Sequence, residues 1–201
     1  MRYLLPGSLL LFTLIMNLGS INSVHATETV VKSLVIDDRS NSDFQSNLGL
    51  SWRLFTDDVM GGISSGNLSL DTYKGRKCLR MRGDVSTENN GGFVQISLAL
   101  SEQGEYDASQ FSGVEIDVAG NNEQYNIHFR TDNLWFPWQS YRASFVAATD
   151  WQSYRIPFAS LEPYKTGEDF SANKLERIGL VAIGREFQAD LCLASIRFYS
   201  E

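Results

Sequence analysis

Cysteine, histidine and proline are scarce in this 201-residue chain, at two, two and four residues. A zinc site takes three or four Cys, His or carboxylate ligands, and two separated cysteines with so few histidines do not supply one. No Asp-x-Asp-x-Asp-Gly run offers a calcium loop, so no metal is expected. Basic residues are also in the minority, 17 Lys and Arg against 24 Asp and Glu, for a formal charge of −7. They form no cluster, and without a basic face to displace counterions the chain has no nucleic-acid site. A Gly-rich phosphate loop followed by a helix is missing too, and no cofactor of any kind is expected.

Long apolar runs are confined to one place, from Leu4 to Leu18. Residues 1–26 carry a single charge, Arg2, before that run and end in Val24-His25-Ala26. A positive start, a short apolar middle and a small residue at the cut form the layout of a secretory signal peptide. The run is about fifteen residues, short of the roughly 20 that cross a bilayer as a helix. The expectation is a signal peptide over 1–26, an exported protein (periplasmic or secreted), and no membrane span once the signal is cleaved. Residues 27–201 then make one domain, long enough to bury roughly 70% of its unfolded surface without metals or staples. With 12% aromatic and 20% charged residues the composition is that of a folded chain.

What the remainder does contain is short alternating segments punctuated by Gly, Asn, Asp and Ser. Strands are predicted at 34–37, 66–73, 77–83, 92–100, 113–119, 125–131, 140–147, 152–158, 177–183 and 191–199. Val114, Ile116 and Val118 alternate with Glu115 and Asp117, and Tyr125, Ile127 and Phe129 alternate with Asn126, His128 and Arg130. Turn signals stand between them, as in Asn89-Asn90-Gly91-Gly92 and Gly120-Asn121-Asn122. About ten short strands with no long helix give an all-β fold, a sandwich or closed barrel. Trp138-Gln139-Ser140-Tyr141-Arg142 recurs as Trp151-Gln152-Ser153-Tyr154-Arg155. Two copies fall short of a repeat architecture and read as the two strands of one hairpin.

The two cysteines, Cys78 and Cys192, could pair in an exported chain. Alternation argues against it, because Cys78 shares a face with Arg80 and Arg82 while Cys192 shares one with Ala194, Ile196 and Phe198. Gly62-Ile63-Ser64-Ser65-Gly66 has the letters of a nucleophile elbow, which works only between a strand and a helix. Here an alternating segment follows, and beyond the leader only His128 could serve as base. The acidic residues supply carboxylate pairs of the kind a glycosidase uses, but any acidic β-protein does the same. More suggestive is Arg130-Thr131-Asp132-Asn133-Leu134-Trp135-Phe136-Pro137-Trp138, three aromatics around a proline between two strands. Such residues stack on sugars or anchor partners. His128, Arg130, Asp132, Trp135, Trp138 and Arg142 are therefore the candidate binding surface.

Trp52, followed by Asp58-Val59-Met60-Gly61-Gly62-Ile63-Ser64, resembles the most distinctive stretch of the complex I intermediate-associated protein 30 family. Further landmarks follow in that family's order: Gly91-Gly92-Phe93, Phe111-Ser112-Gly113, Tyr125 to Asp132, Trp151 to Phe158, and a terminal section from Ile178-Gly179 to Ile196. The resemblance spans about 34–200. It implies a galactose-binding-like jelly-roll β-sandwich, with about ten strands in two antiparallel sheets and no defined catalytic residues. It also implies an assembly role on respiratory complex I. Taken as structure, Gly61 and Gly62 allow a close turn, and Asp58 and Ser64 have side chains short enough to bond nearby amides and hold it.

An exported copy does not reach the matrix, so the role is redirected. From sequence, the chain is a non-enzymatic exported module that binds a protein partner, as an assembly or scaffold factor for an envelope complex. A carbohydrate-binding module using Trp135 and Trp138 is the alternative, and a glycan-active enzyme ranks third.

Overall fold

The computed structural model describes Met1 and residues 33–201; the leader proposed for 1–26 falls outside the described residues, apart from Met1. Twelve strands follow in chain order: β1 (Ser33–Asp37), β2 (Arg53–Thr56), β3 (Ser65–Tyr73), β4 (Arg76–Val85), β5 (Phe93–Ala99), β6 (Gly113–Gly120), β7 (Glu123–Thr131), β8 (Ser140–Ala147), β9 (Gln152–Pro157), β10 (Glu162–Tyr164), β11 (Leu175–Ile183) and β12 (Phe187–Tyr199). All ten expected strands are present. The two that alternation does not reveal are β2, four residues long, and β10, a three-residue edge strand containing Pro163. Short strands lack a readable period, and proline is tolerated in a sheet only at such edges.

Two six-stranded antiparallel sheets face each other. The first runs β3-β4-β12-β6-β9, with β1 also paired to β12; the second runs β10-β8-β7-β11-β5-β2. This is the jelly-roll sandwich that the resemblance implies. Period-two alternation sends one face of each strand inward. Leu79, Met81, Ile116, Leu191, Ile196 and Phe198 of the first sheet meet Val94, Ile96, Ile127, Phe129, Ile178 and Leu180 of the second, all fully or almost fully buried. Phe198 stacks on Phe111 and Tyr106 at one end of that core.

Two sequence expectations are corrected. The Trp138 and Trp151 segments do not form a hairpin, since β8 belongs to the second sheet and β9 to the first. Secondly, Cys78 and Cys192 are disulfide-bonded, with Cα atoms 5.4 Å apart. Strict alternation failed because β12 carries a bulge between Leu193 and Ser195 in its pairing with β6. An extra residue reverses the parity of a strand. Leu191 and Leu193 before the bulge and Ile196 and Phe198 after it all face the core, which turns Cys192 outward. There it joins the face of Cys78, where the Arg80 guanidinium bonds Asp190 at 2.7 Å and Asp71 at 2.8 Å.

Candidate functional site

The segment from Asp57 to Ser64 is built around one buried carboxylate. Asp57 is fully buried at the start of a 3-10 turn (Asp57–Met60) that Gly61 ends at φ 88°. Its carboxylate accepts the Ser64 amide at 2.9 Å, the Ser64 hydroxyl at 2.5 Å, the Phe93 amide at 3.2 Å and the Gly92 amide. Burial alone would raise this carboxyl, but the Ser64 hydroxyl and the three backbone N–H groups outweigh it and hold the group below its ordinary range. The approach is close enough that a Cβ on Gly62 would sit 2.3 Å from Asp57 Cγ, and one on Gly91 2.5 Å from Oδ2. Those two glycines are thus required by packing against a carboxylate. Two landmarks about thirty residues apart in sequence meet at this group.

The residue that holds the loop is therefore Asp57 and not Asp58. Asp58 is exposed, and its Oδ1 only accepts the Thr56 hydroxyl at 2.6 Å. Ser64 does hold the loop, since its Oγ also accepts the Ser86 amide at 2.9 Å, and it leads into strand β3 with no helix behind it. Trp52 is buried, donating Nε1–H to Asp37 at 2.7 Å. Asp37 in turn binds the buried Arg39 guanidinium, which also reaches the carbonyls of Asp43 and Gln45. This arrangement ties β1 to the following loop. Val59 and Met60, by contrast, stand 70% and 54% exposed at the top of the Asp57 turn.

What Val59 and Met60 overhang is a groove on the outer face of the second sheet. A cavity of about 530 Å³ is floored by Phe93, Gln95, His128, Val181 and Ile183 and walled by Val59 and Met60 on one side and Pro137, Trp138, Tyr164 and Lys165 on the other. A smaller cavity of about 150 Å³ adjoins it, sharing Val59, Gln95 and Trp138 and adding Ser97, Arg130, Ser140 and Arg177. The larger volume is of the size that holds small ligands. Antiparallel register sets the floor strands side by side: Ser97, Gly179, His128 and Arg142 are successive cross-strand partners on β5, β11, β7 and β8. Gly179 leaves room there for the Gln95 side chain, whose Nε2 lies 2.4 Å from where a Cβ would be.

Two buried side-chain atoms have no hydrogen-bond partner among the described residues, His128 Nε2 and Ser140 Oγ; their residues line the larger and the smaller cavity. Buried polar groups normally are paired. Burial, with the Arg142 charge adding, pulls the His128 imidazole down to about 4, so the ring is neutral at neutral pH. The aromatic loop beside it is rigidly held. Arg130 donates to the carbonyls of Phe136, Leu134 and Gln139 at 2.7 to 2.9 Å, Gln139 Oε1 accepts the Phe136 amide at 2.9 Å, and its Nε2 donates to the Lys165 carbonyl at 3.1 Å.

The candidate surface thus divides. His128 and Trp138 line the groove, Trp138 stacking on Phe136 with ring centres 4.9 Å apart. Arg130 positions the loop, and Arg142 lays its guanidinium 4.0 Å from the centre of the Tyr164 ring. Trp135, 90% exposed, lines neither cavity, and Asp132 instead pairs with Lys174 at 3.3 Å. Sequence reasoning missed Asp57, Gln95, Tyr164, Lys165 and Arg177. Gln95 and Arg177 share a signal with His128, as polar residues on the solvent phase of otherwise apolar strands.

The sequence profile of the complex I intermediate-associated protein 30 family matches residues 40–193. The chain belongs to that family. In this member of the complex I intermediate-associated protein 30 family, Gly62 and Ser64 pack against Asp57 in the loop that carries Val59 and Met60, and Trp52 anchors β1 through Asp37. No curated protein matches the chain in sequence. Solved structures with the same fold include the family 11 carbohydrate-binding module of the cellulosomal cellulase Lic26A-Cel5E of Clostridium thermocellum, at TM-score 0.67 and 12% identity over 86% of this chain and 97% of that one. The family 11 module of that organism is also known in complex with a β-1,3-1,4-mixed-linked tetrasaccharide, with TM-score 0.64, 12% identity, and 84% and 95% coverage. The family 30 module of cellulase Cel9D-Cel44B of C. thermocellum gives TM-score 0.61 and 18% identity over 85% and 98%. At these identities the likeness shows the fold.

Proposed function

We propose that the chain is a non-catalytic glycan-binding module whose site is the groove over the second sheet. The observation that carries this is a groove that Trp138 and Tyr164 wall with aromatic rings and whose lining residues His128 and Ser140 each keep an unpaired polar atom just beneath the surface. A sugar ring presents hydroxyls that satisfy such atoms and C–H faces that pack on aromatic rings. The loop is fixed before binding, which lowers the ordering entropy lost on association. Modules of this fold that carry carbohydrate-binding names support the choice, and it places the alternative of the sequence reading above a protein partner.

Hydrolysis is disfavoured by the lining itself, because a glycosidase needs carboxylates at the bond it cleaves and no described Asp or Glu lines either cavity. An assembly role for an envelope complex is the second reading, favoured by the exposed Val59, Met60 and Ile63 side by side on one loop. Export is part of the proposal, supported by the leader and by a disulfide of the kind that oxidising compartments preserve.

Calorimetric titration against a panel of soluble polysaccharides tests the reading. Saturable binding that Trp138→Ala weakens and Trp135→Ala leaves intact is expected. No binding to any glycan, together with a stoichiometric envelope protein recovered by pull-down, would turn the assignment to the assembly role.

A further inference from the structure

The groove is cationic in an acidic protein. Most arginines of the first sheet's outer face are neutralised: Arg76 by Asp117, Arg80 by Asp71 and Asp190, Arg155 and Arg197 by Glu115. On the second sheet the pattern is different. Every charged side chain lining the two cavities is a cation, namely Lys165, Arg130 and Arg177. The facing carboxylates are few. Glu176 Oε2 stands 4.0 Å from Arg130 Nε, and Glu162 is the β10 register partner of Arg142 without forming an ion pair with it.

The small cavity concentrates this bias. Arg177 and Arg130 are register partners on β11 and β7, so two guanidiniums lie side by side. Arg130 has committed its terminal nitrogens to three loop carbonyls. Arg177 has no carboxylate partner among the described residues, and Ser140, 4% exposed and with its hydroxyl buried and unpaired, is one of the residues lining the same cavity. A free guanidinium fork and a free O–H together present donors matched to a planar, two-oxygen anion. The cavity has room for such a group and not for a whole sugar ring beside it.

We propose that the ligand is an acidic glycan, one whose sugar ring carries a carboxylate. That carboxylate enters the small cavity to meet Arg177 and Ser140, while the ring packs on Trp138 and reaches His128 in the large one. This rests on the glycan reading and names its substrate class.

The test is a titration of the intact protein with a panel of uronic-acid tetrasaccharides, each beside its carboxyl-reduced counterpart of the same linkage. For the acidic ligand that binds, carboxyl reduction should weaken binding roughly tenfold or more, the scale of one charge-assisted hydrogen-bonded contact. The preference should shrink as NaCl rises from about 0.05 to about 0.5 M, because an exposed guanidinium is screened. Arg177→Gln should bring the two ligands to similar Kd. Ser140→Ala should reduce the preference without lowering Tm, since that hydroxyl has no protein partner to lose. Neutral glycans binding as tightly as every acidic one would overturn the proposal and leave the glycan reading standing. No binding by any member, acidic or neutral, would overturn both.

Discussion

Replacing Asp57 by Asn preserves shape while removing the charge on which two loops converge. The wild-type carboxylate accepts four hydrogen bonds, from Ser64 N–H and O–H and from the amides of Gly92 and Phe93. An asparagine oxygen placed at Oδ2 keeps three of them as neutral bonds and turns its NH2 toward the Ser64 amide, donor against donor. Hydrogen bonds to a charged group contribute about 1.5–3 kcal/mol and neutral ones about 1. At the lower half of that range, three bonds weakened by about 0.5–1 kcal/mol each and one lost at about 1.5–2 kcal/mol amount to roughly 3–5 kcal/mol. For a domain of this size each kcal/mol moves Tm by about 2–4 °C, so calorimetry should show Asp57→Asn melting roughly 6–20 °C below wild type. The pH dependence provides an internal check. The folded carboxyl titrates below its ordinary 3.8, so its stabilisation is complete above that pH and fades as pH falls further. The variant should lose that part of the acid sensitivity. A Tm within 2 °C of wild type, or an unchanged acid limb, would refute the keystone role of Asp57.

Other expectations follow from the same structure. Between pH 6.5 and about 4 the unfolded chain protonates His128 while the folded one does not; stability should fall by about 3 kcal/mol as pH drops through that window, and His128→Leu should flatten the slope in urea titrations. Cys78→Ala/Cys192→Ala opens a loop of 114 residues and should lower stability by about 2–4 kcal/mol, while alkylation of the unreduced native protein should label neither thiol. Trp138→Ala should weaken glycan binding roughly thirtyfold, the scale of an aromatic hot spot, with Trp135→Ala within error of wild type.

Period two made most of the fold legible, because ten strands bury one face and expose the other. It failed where geometry is set by something other than alternation. The bulge in β12 reversed the parity that assigned Cys192 to the core, and β10, with Pro163 inside three residues, has no period to read. The site was legible in pieces. His128 and the Trp138 loop lie in one stretch of chain and stand out together in the sequence; Gln95, Tyr164 and Arg177 reach the same groove only through the β10-β8-β7-β11-β5 strand order. The loop motif was recognised but its keystone was misplaced by one residue. Asp57 and Asp58 are identical in type, and only burial separates them.

The central claim is that a glycan sits in the groove over the second sheet, and NMR titration of isotope-labelled protein tests it most directly. The account expects the His128 ring and Trp138 indole resonances to shift in a saturable way, with the amides of Gly92, Gln95 and Val181 following. Saturable shifts confined to the outer face of the first sheet, around Arg80 and Asp190, would contradict it.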